Sequence, residues 1–170
     1  SGFGSKILVY DPQPDAELVS RFGVRYVELS ELYACSDVIT LHCPLLPETH
    51  HLINAEAVAQ MKREVILINT GRGGLIDTKA LITALKAGRI GGAGLDVYEE
   101  EEGVFFHDLS KGMLQDDVLA RLLTFPNVLI TSHQGFLTRE ALRNIASTTL
   151  ANFSAFERGE TLVNEVRPTV

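Results

Sequence analysis

The chain has 170 residues, of which 45% are hydrophobic and 22% charged, and its formal net charge is −7. This composition is that of an ordinary globular domain with a core, and it excludes a disordered or fibrous chain. The acidic balance disfavours nucleic acid and anionic membranes as partners, and no apolar run approaches the roughly 18 residues of a membrane helix. The two cysteines, Cys35 and Cys43, fit no metal-binding motif. Two reduced thiols are typical of a cytoplasmic protein.

Short apolar runs alternate with helical patterns along the chain. The predicted strands are residues 6–10, 24–27, 37–41, 65–69, 92–97 and 127–131, and the predicted helices are residues 14–22, 30–35, 55–61, 78–86, 117–123 and 138–158. Asn54 and Asp77 are expected to cap the helices 55–61 and 78–86 at their N-termini, Gly23 to end helix 14–22, and Gly88 to end helix 78–86. Buried strands separated by helices predict an α/β fold, with a doubly wound parallel sheet covered on both sides. The main irregular loop is predicted over residues 104–115.

The first predicted strand carries a carboxylate at its end. Gly2-Phe3-Gly4-Ser5 leads into strand 6–10, and Asp11 follows it. This order matches the second half of the Rossmann dinucleotide-binding pattern, whose glycine loop G-x-G-x-x-G is absent here. A carboxylate at this place can accept hydrogen bonds from both ribose hydroxyls of adenosine and would repel the 2′-phosphate of NADP, so the pattern favours NAD. The alternative is that Asp11 is only a turn residue before Pro12.

Four later strand ends also carry polar or titratable groups. They are residues 42–44 (His-Cys-Pro), residues 69–74 (Asn-Thr-Gly-Arg-Gly-Gly), Asp96, and residues 132–134 (Ser-His-Gln). Ligands of open parallel sheets bind in the crevice beyond the carboxyl ends of the strands. These groups are therefore expected to converge on one crevice.

Three titratable groups at these positions suit one reaction. The guanidinium of Arg72, which lies among glycines, can hold a carboxylate with two parallel hydrogen bonds. His133 can donate a proton near neutral pH, and a carboxylate beside it, from Glu101, would favour the charged imidazole. Together these groups would bind a 2-oxo acid and protonate its keto oxygen while the cofactor delivers a hydride.

Each of these groups also has a purely structural interpretation. Arg72 could be a surface side chain in a glycine-rich turn, and His133 a structural hydrogen-bonding residue. Glu101 belongs to the acidic run 99–102. Such a run is typical of a solvated loop, and at least three of its four carboxylates are expected to be solvated.

The motifs around these residues resemble the signatures of D-isomer-specific 2-hydroxyacid dehydrogenases. The matching runs are residues 36–45 (SDVITLHCPL), 65–77 (VILINTGRGGLID) and 94–99 (GLDVYE), and the spacing from Asp96 to Glu101 is that of the family. The resemblance covers essentially the whole chain and implies that Arg72, Glu101 and His133 are the catalytic residues. It also implies NAD as the cofactor, with contacts from Asp11, Cys43, Pro44, Thr49, Thr70, Gly71 and Asp96.

Two local features are similar to the D-lactate branch of the family. Glu102 follows Glu101 where most members have Pro, and a longer loop with a Phe pair comes next, in residues 103–108; Gln134-Gly135-Phe136 follows His133. The resemblance therefore implies NADH-dependent reduction of a small 2-oxo acid, pyruvate, to D-lactate. The alternatives are a related enzyme for a larger 2-oxo acid and an NAD-sensing protein similar to the family's transcriptional corepressors.

Members of the family have a substrate domain and a first strand with a glycine loop before the part that this chain resembles. The chain starts without Met and without a targeting signal. We expect residues 1–134 to be a partial NAD-binding domain with a gap inside its sheet, and residues 135–170 to be a helix and tail that pack on the missing substrate domain. The resemblance implies a homodimer at full length, and residues 1–170 alone are expected to be inactive.

Overall fold

The computed structural model describes residues 2–105 and 114–167. The chain divides into two compact units, Ser1–His133 and Gln134–Val170. Most of the predicted loop 104–115, including the second residue of the Phe pair, lies outside the described residues. Within the described ranges, no helix has both the length and the apolar character needed to cross a bilayer.

All the predicted helices and strands form, most of them with shorter ends. The strands are β1 (Leu8–Val9), β2 (Arg25–Tyr26), β3 (Val38–Leu41), β4 (Val65–Asn69), β5 (Ile90–Leu95) and β6 (Val128–Ile130). The helices are α1 (Ala16–Phe22), α2 (Leu29–Cys35), α3 (Ala55–Gln60), α4 (Thr78–Lys86), α5 (Asp117–Leu123) and α6 (Arg139–Glu157), and short 3₁₀ turns span Gly73–Leu75 and Glu101–Gly103. Asn54 and Asp77 cap α3 and α4 as predicted, through side-chain oxygens that accept backbone N–H groups.

The described strands form two parallel sheets in the first unit. One sheet pairs β1 with β2, and the other has the order β3-β4-β5-β6. All neighbours are parallel, so every strand of a sheet presents its carboxyl end at the same edge. Among the described strands, β1 and β3 are not hydrogen-bonded to each other, and this is the position at which the sequence predicts a gap.

The sequence places β5 two residues too late, at residues 92–97, because a bulge interrupts its pairing with β4. Val65 pairs with Ile90 but Ile66 pairs with Gly92, so Gly91 is the extra residue. A Cβ on Gly91 would lie 2.3 Å from the carbonyl oxygen of Glu64, so the bulge requires glycine. The two residues before the predicted start therefore belong to the strand.

Helices α3, α4 and α5 bury one face of the larger sheet. The core contains side chains from alternate positions of the strands, such as Ile39 and Leu67, together with Leu81 of α4 and Leu122 of α5. On the opposite face, Val38, Ile66 and Leu129 are 53%, 42% and 66% exposed. Because side chains alternate between the faces of a strand, α3–α5 cannot cover these residues. In the described residues, the prediction that helices cover the sheet is therefore confirmed for one of its two faces.

Candidate active site

The structure brings Glu101 and His133 together at the carboxyl edge of the larger sheet. His133 follows β6 and Glu101 follows β5, and His133 Nδ1 lies 3.0 Å from Glu101 Oε1. Their side chains are only 33% and 15% exposed. Because a carboxylate accepts and does not donate, the contact places a proton on Nδ1 and assigns proton exchange with a ligand to Nε2.

Local backbone contacts fix the orientation of this pair. The second oxygen of Glu101, Oε2, accepts a hydrogen bond from the backbone N–H of Tyr98 at 3.1 Å. The His133 N–H donates to the carbonyl oxygen of Asp96 at 2.5 Å. Ser132 and His133 both have φ of 56°, in the left-handed region. Such a conformation costs about 1–3 kcal/mol at each non-glycine residue, so the surrounding contacts hold the His133 turn against strain.

Arg72 lies in a loop that the buried end of β4 shapes. Asn69 is 1% exposed. Its side chain donates to the carbonyl oxygen of Arg72 at 2.9 Å and accepts from the Gly71 N–H at 3.1 Å. A Cβ on Gly73 would lie 2.1 Å from the carbonyl oxygen of Tyr98, so the loop needs glycine where it crosses the chain after β5. The sequence analysis included Asn69 among the polar groups at this strand end but assigned it no function.

The Arg72 guanidinium is exposed at this edge. Its Nη1 donates to the carbonyl oxygen of Gly71 at 2.8 Å. In the described part of the chain, no hydrogen bond joins Arg72 to Glu101 or His133. The three predicted catalytic groups therefore consist of one close pair and one separate cation, carried by the adjacent strands β4, β5 and β6.

Asp11 follows β1 and is exposed, as a residue that contacts a ligand can be. Its Oδ1 accepts a hydrogen bond from the Gln13 N–H at 2.8 Å. This is the local turn that the alternative interpretation describes. The turn fixes the carboxylate at the carboxyl end of β1, which is the place the cofactor interpretation requires, so the two interpretations are compatible and the contact with NAD stays a prediction.

Cys43 is half-buried just after β3, and burial raises the pKa of its thiol. Tyr33 of α2 is 5% exposed. Burial, followed by the nearby Cys43 thiol and Tyr10, raises the pKa of Tyr33 to about 12. Tyr10 follows β1 and Cys43 follows β3. Residues at the ends of both strands therefore lie close enough to Tyr33 to affect the pKa of its phenol.

Pro44 and Thr49 belong to one tight loop after β3. The Thr49 hydroxyl donates to the carbonyl oxygen of Pro44 at 2.6 Å and accepts from the Leu46 N–H at 2.8 Å. Thr49 therefore has an evident structural function in shaping this loop. A direct contact of either residue with the cofactor stays a prediction.

Thr70 and Asp96 follow the neighbouring strands β4 and β5. Thr70 is exposed beside Gly71, whereas Asp96 is 8% exposed. The Thr131 hydroxyl donates to Asp96 Oδ1 at 2.5 Å, and the Asp96 N–H donates to the carbonyl oxygen of Asn69 at 2.9 Å. Asp96 thus connects the ends of three adjacent strands, in addition to the predicted contact with the cofactor.

The structure contains a second histidine–glutamate pair that the sequence analysis did not identify. His51 Nε2 lies 2.6 Å from Glu99 Oε1, and the Thr78 hydroxyl donates to Glu99 Oε2 at 3.0 Å. The expectation of at least three solvated carboxylates in run 99–102 is wrong, because Glu99 and Glu101 are both half-buried and paired. No sequence signal marks His51 and Glu99 as partners, since they are 48 residues apart and lie in irregular loops.

The same cluster has the side-chain types of a metal site but not its geometry. Ligand atoms of His50, His51 and Glu99 lie within 4.8 Å of one another. The two imidazole rings are stacked, with centroids 3.9 Å apart and planes inclined by 27°. Since the lone pair of an imidazole nitrogen lies in the plane of its ring, one ion cannot meet both stacked rings well. The contact of His51 with Glu99 is therefore best described as a hydrogen-bonded pair.

We expect the pair to make stability depend on pH. Burial alone would raise the pKa of Glu99, but hydrogen bonds from His51 and Thr78 outweigh burial and lower it. A lowered carboxyl pKa stabilises the fold above the unfolded pKa, and this contribution is lost as the pH falls through the folded pKa. At about pH 7, Glu99→Gln should lower the free energy of unfolding by about 1–3 kcal/mol, and the difference between variant and parent should shrink at an acid pH below the unfolded pKa.

Denaturant unfolding of the 170-residue chain at these two pH values measures the difference. Glu100→Gln is the matched control, because Glu100 is the exposed neighbour. A Glu99→Gln chain as stable as the control at neutral pH would contradict the prediction.

Residues 1–135 match the model of the family described as D-isomer specific 2-hydroxyacid dehydrogenase, NAD binding domain. The chain is 53% identical over 165 residues to the D-lactate dehydrogenase of Escherichia coli, covering 97% of this chain and 50% of that protein. It is similar to the solved structure of the pyruvate reductase of Chlamydomonas reinhardtii, with a TM-score of 0.89, 48% identity, and coverage of 96% of this chain and 50% of that one. The structure of the Aquifex aeolicus D-lactate dehydrogenase with NAD and lactic acid gives a TM-score of 0.82, 40% identity, and coverage of 94% and 48%.

The chain spans about half the length of the curated relatives it matches. The match extends over both the strand ends and the connecting helices, so it confirms the Rossmann-type parallel fold as well as the resemblance found in the motifs. The positions of Arg72, Glu101 and His133 at one edge of the sheet agree with the roles that the resemblance implies for them. On this evidence the chain belongs to the D-isomer specific 2-hydroxyacid dehydrogenases and carries their NAD-binding domain.

Proposed function

We propose that this chain provides the NAD-binding domain and the catalytic groups of an enzyme that reduces pyruvate to D-lactate with NADH. The observation that carries the proposal is the contact of 3.0 Å between His133 Nδ1 and Glu101 Oε1. It creates a half-buried histidine whose other nitrogen can donate a proton at the edge where a ligand of a parallel sheet binds. The similarity to D-lactate dehydrogenases and a pyruvate reductase supports this choice of substrate.

Each catalytic group has one task in this proposal. The exposed guanidinium of Arg72 holds the substrate carboxylate through two parallel hydrogen bonds and so fixes the orientation of the keto group. His133 donates its Nε2 proton to the keto oxygen, which becomes the hydroxyl of lactate. Glu101 retains the Nδ1 proton by hydrogen bonding and stabilises the positive charge of the imidazole before transfer.

The described residues fit NAD as the cofactor of this reaction. NADH, when bound, supplies the hydride that reduces the carbonyl carbon. Asp11 presents an exposed carboxylate after β1, with one oxygen fixed by the Gln13 N–H. That geometry suits acceptance of hydrogen bonds from the adenosine ribose. The exposed Thr70 and the half-buried Cys43 and Gly71 lie after the neighbouring strands at the same edge.

The test is NADH oxidation by the complete gene product with pyruvate as substrate. We expect steady turnover, a product that is D-lactate and not L-lactate in chiral chromatography, and weaker turnover with phenylpyruvate. A preference for phenylpyruvate would indicate that the substrate is a larger 2-oxo acid than pyruvate. NADH binding without turnover of either acid would contradict an enzyme and indicate an NAD-sensing protein.

We expect Asp11→Ala to change the cofactor preference of that enzyme. Loss of the carboxylate removes hydrogen bonds to the ribose and the repulsion of a 2′-phosphate, so kcat/KM should fall about tenfold with NADH and rise with NADPH. Steady-state kinetics with the two cofactors measures both changes. Asp37→Ala is the control, because Asp37 precedes β3 at the opposite edge and pairs with Lys62. A parent enzyme that uses both cofactors equally would contradict the function given to Asp11.

The complete protein is further proposed to be a cytoplasmic homodimer. Support for the compartment comes from Cys35 and Cys43, which are both free thiols. Support for the dimer comes only from the family resemblance. Sedimentation velocity of the complete gene product distinguishes a dimer from a monomer.

A further inference from the structure

We propose that His51 is a positioning residue whose hydrogen bond with Glu99 holds the Arg72 loop in the orientation that binds a carboxylate. The inference deepens the proposed function and rests on it for its kinetic consequences. His51 itself is assigned no contact with substrate or cofactor. Its effect on the reaction would be transmitted through the backbone of residues 71–75.

The backbone of His51 is attached directly to the Arg72 loop. The His51 N–H donates to the carbonyl oxygen of Gly74 at 2.8 Å, and the Ile53 N–H donates to that of Leu75 at 3.0 Å. These two hydrogen bonds place residues 51–53 next to Gly74 and Leu75, at the end of the loop. His51 has φ of 52°, a left-handed conformation that is unfavourable for a residue with a side chain, so its position is set by contacts and not by local preference.

The side chain of His51 connects the loop to the chain after β5. Glu99 binds His51 with one oxygen and Thr78 with the other, at 2.6 Å and 3.0 Å. Thr78 is the first residue of α4, just after the Arg72 loop. The Glu99 carboxylate therefore bridges His51, whose backbone is bonded to the Arg72 loop, and the first residue of the helix that follows this loop.

The chain after β5 also carries Glu101, one member of the catalytic pair. Glu101 is two residues beyond Glu99, and its Oε2 accepts from the Tyr98 N–H. The Gly73 backbone lies against the peptide between Tyr98 and Glu99, so closely that a Cβ there would collide with it. The His51–Glu99 pair thus fixes the Arg72 loop to the same few residues that hold Glu101 toward His133, and this sets the spacing of the cation from the proton donor.

The burial of the pair makes it strong enough for this task. The His51 and Glu99 side chains are 32% and 26% exposed, so solvent screens their attraction only partly. Burial alone would raise the pKa of Glu99, but hydrogen bonds from His51 and Thr78 lower it, so the carboxylate is charged over the neutral range. A charge-assisted bond of this kind is about twice as strong as a neutral one.

The kinetic test compares His51→Gln with the matched variant His50→Gln in the complete gene product. His50 is the exposed neighbour that stacks on His51. For His51→Gln we expect KM for pyruvate to rise about tenfold, the equivalent of one charge-assisted hydrogen bond, while KM for NADH changes less than about twofold. His50→Gln should behave like the parent. An unchanged KM for pyruvate, or an equal rise of both KM values, would overturn the proposal.

Two further variants separate the pair from general damage to the fold. Glu99→Gln should reproduce the effect of His51→Gln, and the double variant should be no worse than either single variant, because both remove one interaction. Thr78→Val keeps the shape of the side chain and should give a smaller rise of the same kind. Additive effects of the two single variants would overturn the pairing on which the proposal depends.

A measurement without turnover distinguishes this proposal from the proposed function. Amide hydrogen exchange in the complete gene product reports the Leu75 and Ile76 N–H groups, which donate to the carbonyl oxygens of Arg72 and Gly73. We expect both to exchange about tenfold faster in His51→Gln and at the parent rate in His50→Gln. A complete gene product that fails to reduce 2-oxo acids would refute the proposed function alone. Unchanged exchange in His51→Gln would refute the positioning of the loop.

Discussion

His133→Gln in the complete gene product is expected to lower kcat/KM for pyruvate by about 10²–10⁴-fold, the usual contribution of a positioned general acid. Glutamine can still hydrogen-bond to Glu101, whose carboxylate lies 3.0 Å from His133 Nδ1, but it cannot donate a proton to the keto oxygen. Since the His133 side chain is one-third exposed, the substitution should leave the fold intact. KM for NADH should therefore change little. Stopped-flow and steady-state kinetics measure the effect on the chemical step.

The matched control for this prediction is His42→Gln. His42 also follows a buried strand, but it is exposed and its Nε2 lies 2.7 Å from the Thr40 hydroxyl, two residues away. The sequence alone places both histidines shortly after a predicted strand. We expect the His42→Gln enzyme to keep the kcat/KM of the parent. Equal loss in both variants, or no loss in His133→Gln, would contradict the function assigned to His133.

Arg72→Lys is expected to raise KM for pyruvate by about 10–100-fold and to lower kcat as well. Lysine keeps the charge but presents a point donor and not a planar fork, so it loses one of two parallel hydrogen bonds and the orientation they impose. The loop itself should persist, because Asn69 binds the backbone of residue 72 and not its side chain. Steady-state kinetics with pyruvate, at saturating NADH, measures both constants.

Arg63→Lys is the control for this substitution, since Arg63 is an exposed arginine in the turn before β4. We expect its kinetic constants to equal those of the parent. A kcat/KM for pyruvate that Arg72→Lys leaves unchanged would show that another group holds the carboxylate. A rise in KM for NADH of the same size would assign Arg72 to the cofactor.

The order and type of the helices and strands could be predicted because their signals are local. Asn54 and Asp77 cap α3 and α4 with their own side chains. Val65–Asn69 is a mostly apolar run with the length of a buried strand, so it can be recognised without knowing its neighbours. The start of β5 could not be predicted, because the Gly91 bulge exists only where β5 meets β4. A glycine-rich run gives no periodicity from which its register could be inferred.

The residues at the site were predictable one by one, but only part of their arrangement was. Parallel strands bring their carboxyl ends to one edge, so Arg72 and His133 were expected at the same edge. In run 99–102, the family spacing from Asp96 indicated Glu101 as the partner of His133, but nothing in the sequence marked Glu99 as a second half-buried carboxylate. The tertiary structure selects Glu101 for His133 and Glu99 for His51.

By itself, the sequence determined the parallel α/β fold, the family and the strand ends at which chemistry is possible. Each of these depends on patterns within a few residues: apolar runs, caps, glycines and short motifs. The tertiary structure decided which charges meet, that Asn69 and His51 hold the Arg72 loop, and that Gly73 must lie against the chain after β5. These contacts join residues far apart in the chain, and their partners are chosen by the packing of loops, which has no repeating pattern that a sequence could display.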